Sequence, residues 1–133
     1  MTSEKYQPIP QVVEKVGKAV LDAAFKVHSA LGPGLLESVY EKALTYELTK
    51  RDIQVSSQVR IPIMYEGKHL NSDLACDMVV GNCVIIELKV VEKMIPLYEA
   101  QLLTYLKLSG IRLGYLINFN VAHLKMGIKR MVL

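Results

Sequence analysis

Residues 83–91, CVIIELKVV, constrain this chain more than any other stretch. The run is apolar enough for a strand buried on both faces, yet Glu87 and Lys89 are set into it. Strand side chains alternate between faces, so these two charges point one way while Ile86, Leu88 and Val90 point the other. Breaking a buried charge pair costs about 3–5 kcal/mol, so that face requires a salt bridge, a metal or a wet cleft.

The elements around this strand follow from periodicity. Val12, Val16, Ala19, Val20, Ala23, Val27 and Leu31 recur at helical spacing. Gly32-Pro33-Gly34 stops that helix, because Gly suits the left-handed C′ position and Pro cannot continue it. A second amphipathic helix, LLESVYEKALTYEL, sets Leu36, Tyr40, Ala43 and Leu48 near one stripe. After Arg51 the period becomes two: Val55, Val59, Ile61, Ile63 and Tyr65 form a half-buried strand. Pro62 removes a ladder donor and predicts an edge strand or a bulge. Glu66-Gly67 turns into a second strand, HLNSDLACDMVV, and Gly81-Asn82 turns into CVIIELKVV. A helix from about Pro96 to Ser109 ends at Gly110; IRLGYLINF and VAHLKMGIKRMVL read as two further strands. The order α-α-β-β-β-α-β-β predicts a meander, a crossover that favours one parallel pairing, and a mixed α/β sheet flanked by helices.

Length and composition bound the rest. At 133 residues, 51% of them hydrophobic, the chain suits one globular domain over 11–133, with residues 1–10 as an extended arm carrying Pro8 and Pro10. The net charge of +3 allows a polyanionic partner without demanding one. No apolar run approaches the roughly 20 residues that span a bilayer, and MTSEKYQPIP has no signal-peptide core. Cys76 and Cys83 offer neither a disulfide framework nor a four-ligand zinc set. The expectation is a cytoplasmic protein with no membrane association.

Asp77 decides what the charged face can do. A three-residue loop at residues 81–83 sets Asp77 opposite Glu87 on one face, whereas a two-residue Gly-Asn turn sets it on the other; turn chemistry leaves both open. In the first register two carboxylates stand about 5 Å apart at the backbone. Like charges that close raise one pKa strongly unless a cation intervenes. Lys89 is one candidate, but hard oxygen donors from two acids suit Mg²⁺ or Mn²⁺ better. Lys89 would then orient water or stabilise charge on a phosphate. The plainer reading of a lone E-x-K is a structural ion pair or a solvated strand end.

Three features together extend this reading. LGPGLLESVYEKAL contains G-x-x-E-x-x-Y as Gly34, Glu37 and Tyr40; Asp77 precedes IELK; and AQLLTYLKLSG follows. From about residue 12 to the end, including INFN and GIKR, the chain resembles the small bacterial proteins named after the G-x-x-E-x-x-Y motif. Those belong to the PD-(D/E)XK nuclease superfamily, with a restriction-endonuclease-like fold. The resemblance implies that Asp77 and Glu87 hold the metal with the Leu88 carbonyl, and that Lys89 assists the water nucleophile. It implies that Glu37 supports the metal site, directly or through water, and that Gln101 faces the site from the following helix. Two positions depart from the pattern. Cys76 stands where the motif has Pro, and Tyr98 stands where a His is expected three residues before the Gln.

The accessory residues also have plainer readings. Glu37 suits a first helical turn through the helix dipole. Tyr40 suits the core, with a hydroxyl that fixes Glu37. Gln101 shares an inward stripe with Leu97 and Tyr105, and Gly34 serves the helix entry. His28, His69 and His123 lack metal-ligand spacing. Lys50, Arg51, Arg60, Lys68, His123, Lys125 and Lys129 are available to phosphates. No groove-reading helix, aromatic platform or substrate-grasping insertion is visible in the sequence. Three functions compete: a Mg²⁺- or Mn²⁺-dependent nuclease acting on nucleic acid, DNA foremost; an inactive nuclease-fold module that binds nucleic acid or a protein; and a homodimer whose charges are structural.

Overall fold

The computed structural model describes residues 7–133. Residues 1–6 of the expected N-terminal arm lie outside the described residues. Its remainder is anchored: Ile9 is buried, and the Arg112 guanidinium donates to the carbonyls of Gln7 and Pro8.

Helices α1 (Gln11–Leu31) and α2 (Glu37–Lys50) precede strands β1 (Val55–Tyr65), β2 (Lys68–Val80) and β3 (Val84–Lys89). Helix α3 (Pro96–Ser109), strand β4 (Leu113–Asn118), a 3₁₀ turn (Leu124–Gly127) and strand β5 (Ile128–Val132) complete the chain. The sheet runs β1-β2-β3-β4-β5, antiparallel except for β3 and β4. The α3 crossover produces that parallel pair, since parallel neighbours need a long connection. The mixed α/β sheet expected from the sequence is therefore present.

Each face has its own core. On one, Val20, Ala23 and Val27 of α1 and Tyr40, Leu44 and Leu48 of α2 cover Met78, Ile86, Leu88 and Ile117. On the other, Leu102 and Leu106 of α3 cover Cys76, Val79, Ile85 and Leu116. The helical stripes are narrower than periodicity suggests. Val12 is 67% exposed in the first turn of α1, and Leu36 is 73% exposed just before α2 begins.

Local backbone chemistry sets the registers. Glu66 and Gly67 both have positive φ, the geometry of a tight hairpin turn between β1 and β2. Pro62 does lie on an edge strand, and the β1–β2 register shifts between Pro62 and Met64. The expected alternation along β1 breaks at Gln58, whose φ is 51°. Val55 consequently packs with the α1–α2 core, while Val59 and Ile61 join the α3 side. Between β2 and β3, Val80 pairs with Val84 across residues 81–83, and the Cys83 N–H donates to the Val80 carbonyl at 3.1 Å. The open choice of loop is thus resolved as the three-residue one.

The last strand is shorter than expected. Residues 121–133 read as one alternating strand, but Leu124–Gly127 form a 3₁₀ turn and β5 begins only at Ile128. Leu124 is buried and Met126 is 78% exposed, so the two do not share a face. Gly127 explains the detour, since a Cβ there would lie 2.2 Å from the Asn118 carbonyl oxygen. Gly127→Ala should therefore cost about 1–3 kcal/mol in a urea melt, the usual range for overpacking a tight site. A wild-type midpoint would remove Gly127 as the cause. Among the described residues no helix is long and apolar enough to cross a membrane.

Candidate active site

Strands β2 and β3 are paired up to Met78 and Ile86. One residue further, side chains replace the ladder. The Asp77 N–H donates to Glu87 Oε2 at 2.8 Å, and the Leu88 N–H donates to Asp77 Oδ2 at 2.8 Å. Each acid caps the other strand's backbone, and both carboxylates meet where β2 parts from β3. Glu87 is only 6% exposed, and Asp77 is half-buried. Burial, then the Asp77 charge, push the Glu87 carboxyl up to about 8, against the Asp77 N–H bond and the Lys89 charge.

Lys89 does not bridge the acids. Its ammonium lies 4.4 Å from the centroid of the Tyr98 ring, and among the described residues it forms no ion pair. Tyr98, the departure from the family pattern, thus supplies a π face that holds the ammonium beside the pair. The end of β3 is fixed from β4. Asn118, buried, donates to the Val91 carbonyl at 2.9 Å and accepts the Val91 N–H at 3.1 Å. The Phe119 N–H donates to the Lys89 carbonyl at 3.0 Å. Asn118 was not singled out from the sequence, although an amide closing the apolar run IRLGYLINF is the kind of signal that marks a buried polar clamp.

Glu37 arrives from α2. It is exposed, and partial shielding followed by the Asp77 charge raises its pKa, with Lys89 opposing. The loop ahead of it is built by its motif partners. Gly34 sits at φ 100°, which a side chain would strain. The Tyr40 hydroxyl donates to the Gly32 carbonyl and accepts the Leu35 N–H at 3.2 Å, and its ring stacks on Phe119 with centroids 4.5 Å apart. Tyr40 is a core residue as expected, but its hydroxyl ties the loop and not Glu37 itself. Tyr40→Phe leaves that loop's polar groups without their partner and should cost about 1–3 kcal/mol in chemical denaturation. Unchanged stability would mean that water replaces the hydroxyl.

Gln101 lines a groove of about 260 Å³ with Leu97, Thr104 and Tyr105 of α3 and Leu74 of β2. The expected inward stripe is displaced: Leu97 is 57% exposed, Gln101 is exposed, and Leu102 and Leu106 fill the core instead. Gln101 makes no side-chain hydrogen bond among the described residues. Tyr105 reaches further in; burial, then Glu87 and Asp77, push its phenol up to about 12. The groove floor is therefore within electrostatic reach of the acid pair. The histidines stand apart: His28 bonds the Val121 carbonyl at 2.8 Å, and His69 lies 3.5 Å from Asp73.

The donor set fits a hard divalent cation. Glu87 and Asp77 each use one oxygen on a backbone N–H, and among the described residues their other oxygens accept no hydrogen bond. Two adjoining acids without a direct counter-ion are an electrostatic deficit that a cation relieves. Mg²⁺ commonly takes only one or two carboxylates and keeps its waters. No group of three His, Cys, Asp or Glu side chains forms a closed cage among the described residues, so Glu37 stands outside the inner pair.

No curated protein and no solved structure gives a significant match to this chain. A family model described as the PD-(D/E)XK nuclease superfamily matches residues 14–131. That span takes in nearly all of both helical covers and of the sheet, together with the Asp77–Glu87–Lys89 corner, and the chain belongs to the PD-(D/E)XK nuclease superfamily.

Proposed function

We propose that this protein is a phosphodiester hydrolase acting on nucleic acid, DNA foremost, and dependent on Mg²⁺ or Mn²⁺. The observation that carries the reading is the buried Glu87 carboxylate sharing the end of β2 and β3 with Asp77. Asp77, Glu87 and the Leu88 carbonyl would hold the cation. Bound there, it supplies Lewis-acid polarisation of the phosphate and a more acidic water. Lys89 leaves the Tyr98 face to stabilise charge on the phosphate and to orient the attacking water. Glu37 helps place that water from α2, and Gln101 contacts the substrate from α3. Gly34, Glu37 and Tyr40 support placing the chain in the G-x-x-E-x-x-Y group, and its setting is the cytoplasm.

A second reading, an inactive module that binds nucleic acid or a protein, draws on the open cage and on Lys89 resting against Tyr98. Cleavage decides between them. Wild type should cut duplex DNA, single-stranded DNA or RNA only with Mg²⁺ or Mn²⁺, and Asp77→Asn should reduce the rate by at least about 100-fold. Equal cleavage by both would identify a contaminant. No cleavage of any substrate would favour the binding module.

A further inference from the structure

A cavity of about 590 Å³ opens between the C-terminal turns of α1 and the segment that leads from β4 into the 3₁₀ turn. It is larger than the groove beside Gln101 and within the usual range for small-molecule sites. Its polar lining is of one kind. His28, Ser29, His123 and Lys125 reach it, and no carboxylate does. Asp22 and Glu37, the acids nearest in the chain, lie outside, and Asp22 is held by Lys18 at 2.9 Å. His123 and Lys125 form no ion pair among the described residues. An ammonium without a counter-ion, beside a hydroxyl and two imidazoles, is a donor set suited to an anion.

The wall behind these groups is held in place. His28 is 8% exposed, and its Nε2 donates to the Val121 carbonyl at 2.8 Å, which fixes the proton on that nitrogen. Nδ1 makes no hydrogen bond among the described residues, yet no buried side-chain nitrogen or oxygen there lacks a partner, so Nδ1 reaches the cavity. The Gly32 carbonyl accepts from the Tyr40 hydroxyl, and the His28 ring lies 6.3 Å from that of Phe119. Since the Phe119 N–H bonds the Lys89 carbonyl, one residue links this wall to the end of β3.

Two features select a nucleotide among anions. A phosphate monoester carries about 1.5 to 2 negative charges at neutral pH and three acceptor oxygens, which match Lys125, Ser29 and His123. With its proton on Nε2, the neutral His28 ring offers Nδ1 as an acceptor, which the P–O–H of a monoester can fill and a diester cannot. Phe25, 41% exposed on the same lining, presents a ring on which a base can stack.

We infer that this cavity binds a nucleotide through a terminal phosphate monoester, on a strand end or on a free nucleoside monophosphate. Ser29, His123 and Lys125 take the phosphate oxygens, and Phe25 takes the base. The inference goes beyond the hydrolytic reading and does not need it, because binding here uses neither the acid pair nor a metal.

Calorimetric titration of dAMP and of deoxyadenosine into the full chain, with EDTA present, reads the site without cleavage. Wild type should bind dAMP at least about 10-fold more tightly than the nucleoside. His123→Ala/Lys125→Ala, at two exposed positions, should weaken dAMP binding by about 10-fold or more, and Phe25→Leu by about 5-fold or more. Lys125→Arg should stay within about threefold of wild type, which separates lost charge from lost fold. Anisotropy of a labelled strand of about ten nucleotides, with a 5′-phosphate, a 3′-phosphate or neither, separates the two sources. Tighter binding of a phosphorylated strand assigns the cavity to strand ends; equal binding of all three, with dAMP bound, assigns it to the free nucleotide. Equal affinity for dAMP and deoxyadenosine, no dAMP binding by wild type, or dAMP affinity in the double variant within about twofold of wild type overturns the site. Loss of dAMP binding in Glu87→Gln overturns it too, by moving the nucleotide to the acid pair.

Discussion

At pH 9, Glu87→Gln should be more stable than wild type by at least about 2 kcal/mol, while losing cation-dependent cleavage. Burial and Asp77 raise the Glu87 carboxyl from 4.5 to about 8 in the folded protein. A raised carboxyl contributes stability below its unfolded pKa and loses it as pH climbs through the folded one. The window is therefore about pH 4.5 to 8, and the penalty is fully present above it. Gln keeps an oxygen for the Asp77 N–H and carries no charge. Urea melts of both proteins without divalent cation, at pH 5 and pH 9, check this. The difference should shrink towards pH 5; a variant less stable at pH 9 would show that Glu87 is satisfied as an anion.

Lys89→Met should lower cleavage by about 100- to 1,000-fold while changing stability by no more than about 1 kcal/mol. The Met chain keeps the contact with the Tyr98 ring and loses only the ammonium. Lys89 also lowers the pKa of Glu87 and Glu37, so the acidic limb of the pH–rate profile should move to higher pH in the variant. Rates within tenfold of wild type would leave Lys89 a structural cation held by Tyr98. Loss of rate with gross destabilisation would assign it to folding.

What the sequence disclosed and what it hid divide along physical lines. Helix and strand order came through because Gly32, Gly67, Gly81 and Gly110 punctuate strongly periodic runs. Parallel pairing of β3 and β4 followed from the crossover. The Asp77–Glu87 register depended on one loop residue, and two turn chemistries fitted the same Gly-Asn dipeptide. Three features were illegible because they depend on tertiary contacts. Gln58 switches the faces of β1, Gly127 passes under Asn118, and Asn118 clamps Val91. The overhang of β1 and β2 was hidden differently: residues 62–73 read as ordinary strand, and only the short pairing of β3, over Met78–Val80, leaves them beyond the rest of the sheet. Tyr40 looked like support for Glu37, but its hydroxyl closes the turn before it. The motif thus acts through the loop's shape.

The most direct measurement is a calorimetric titration of Mn²⁺ into wild type and Glu87→Gln at pH 7, repeated in two buffers of different protonation enthalpy. With the Glu87 carboxyl at about 8, binding should release close to one proton per cation, and Glu87→Gln should abolish both the binding and the proton. Binding of equal strength in Glu87→Gln, or no binding by wild type, would contradict a cation site at the Asp77–Glu87 corner.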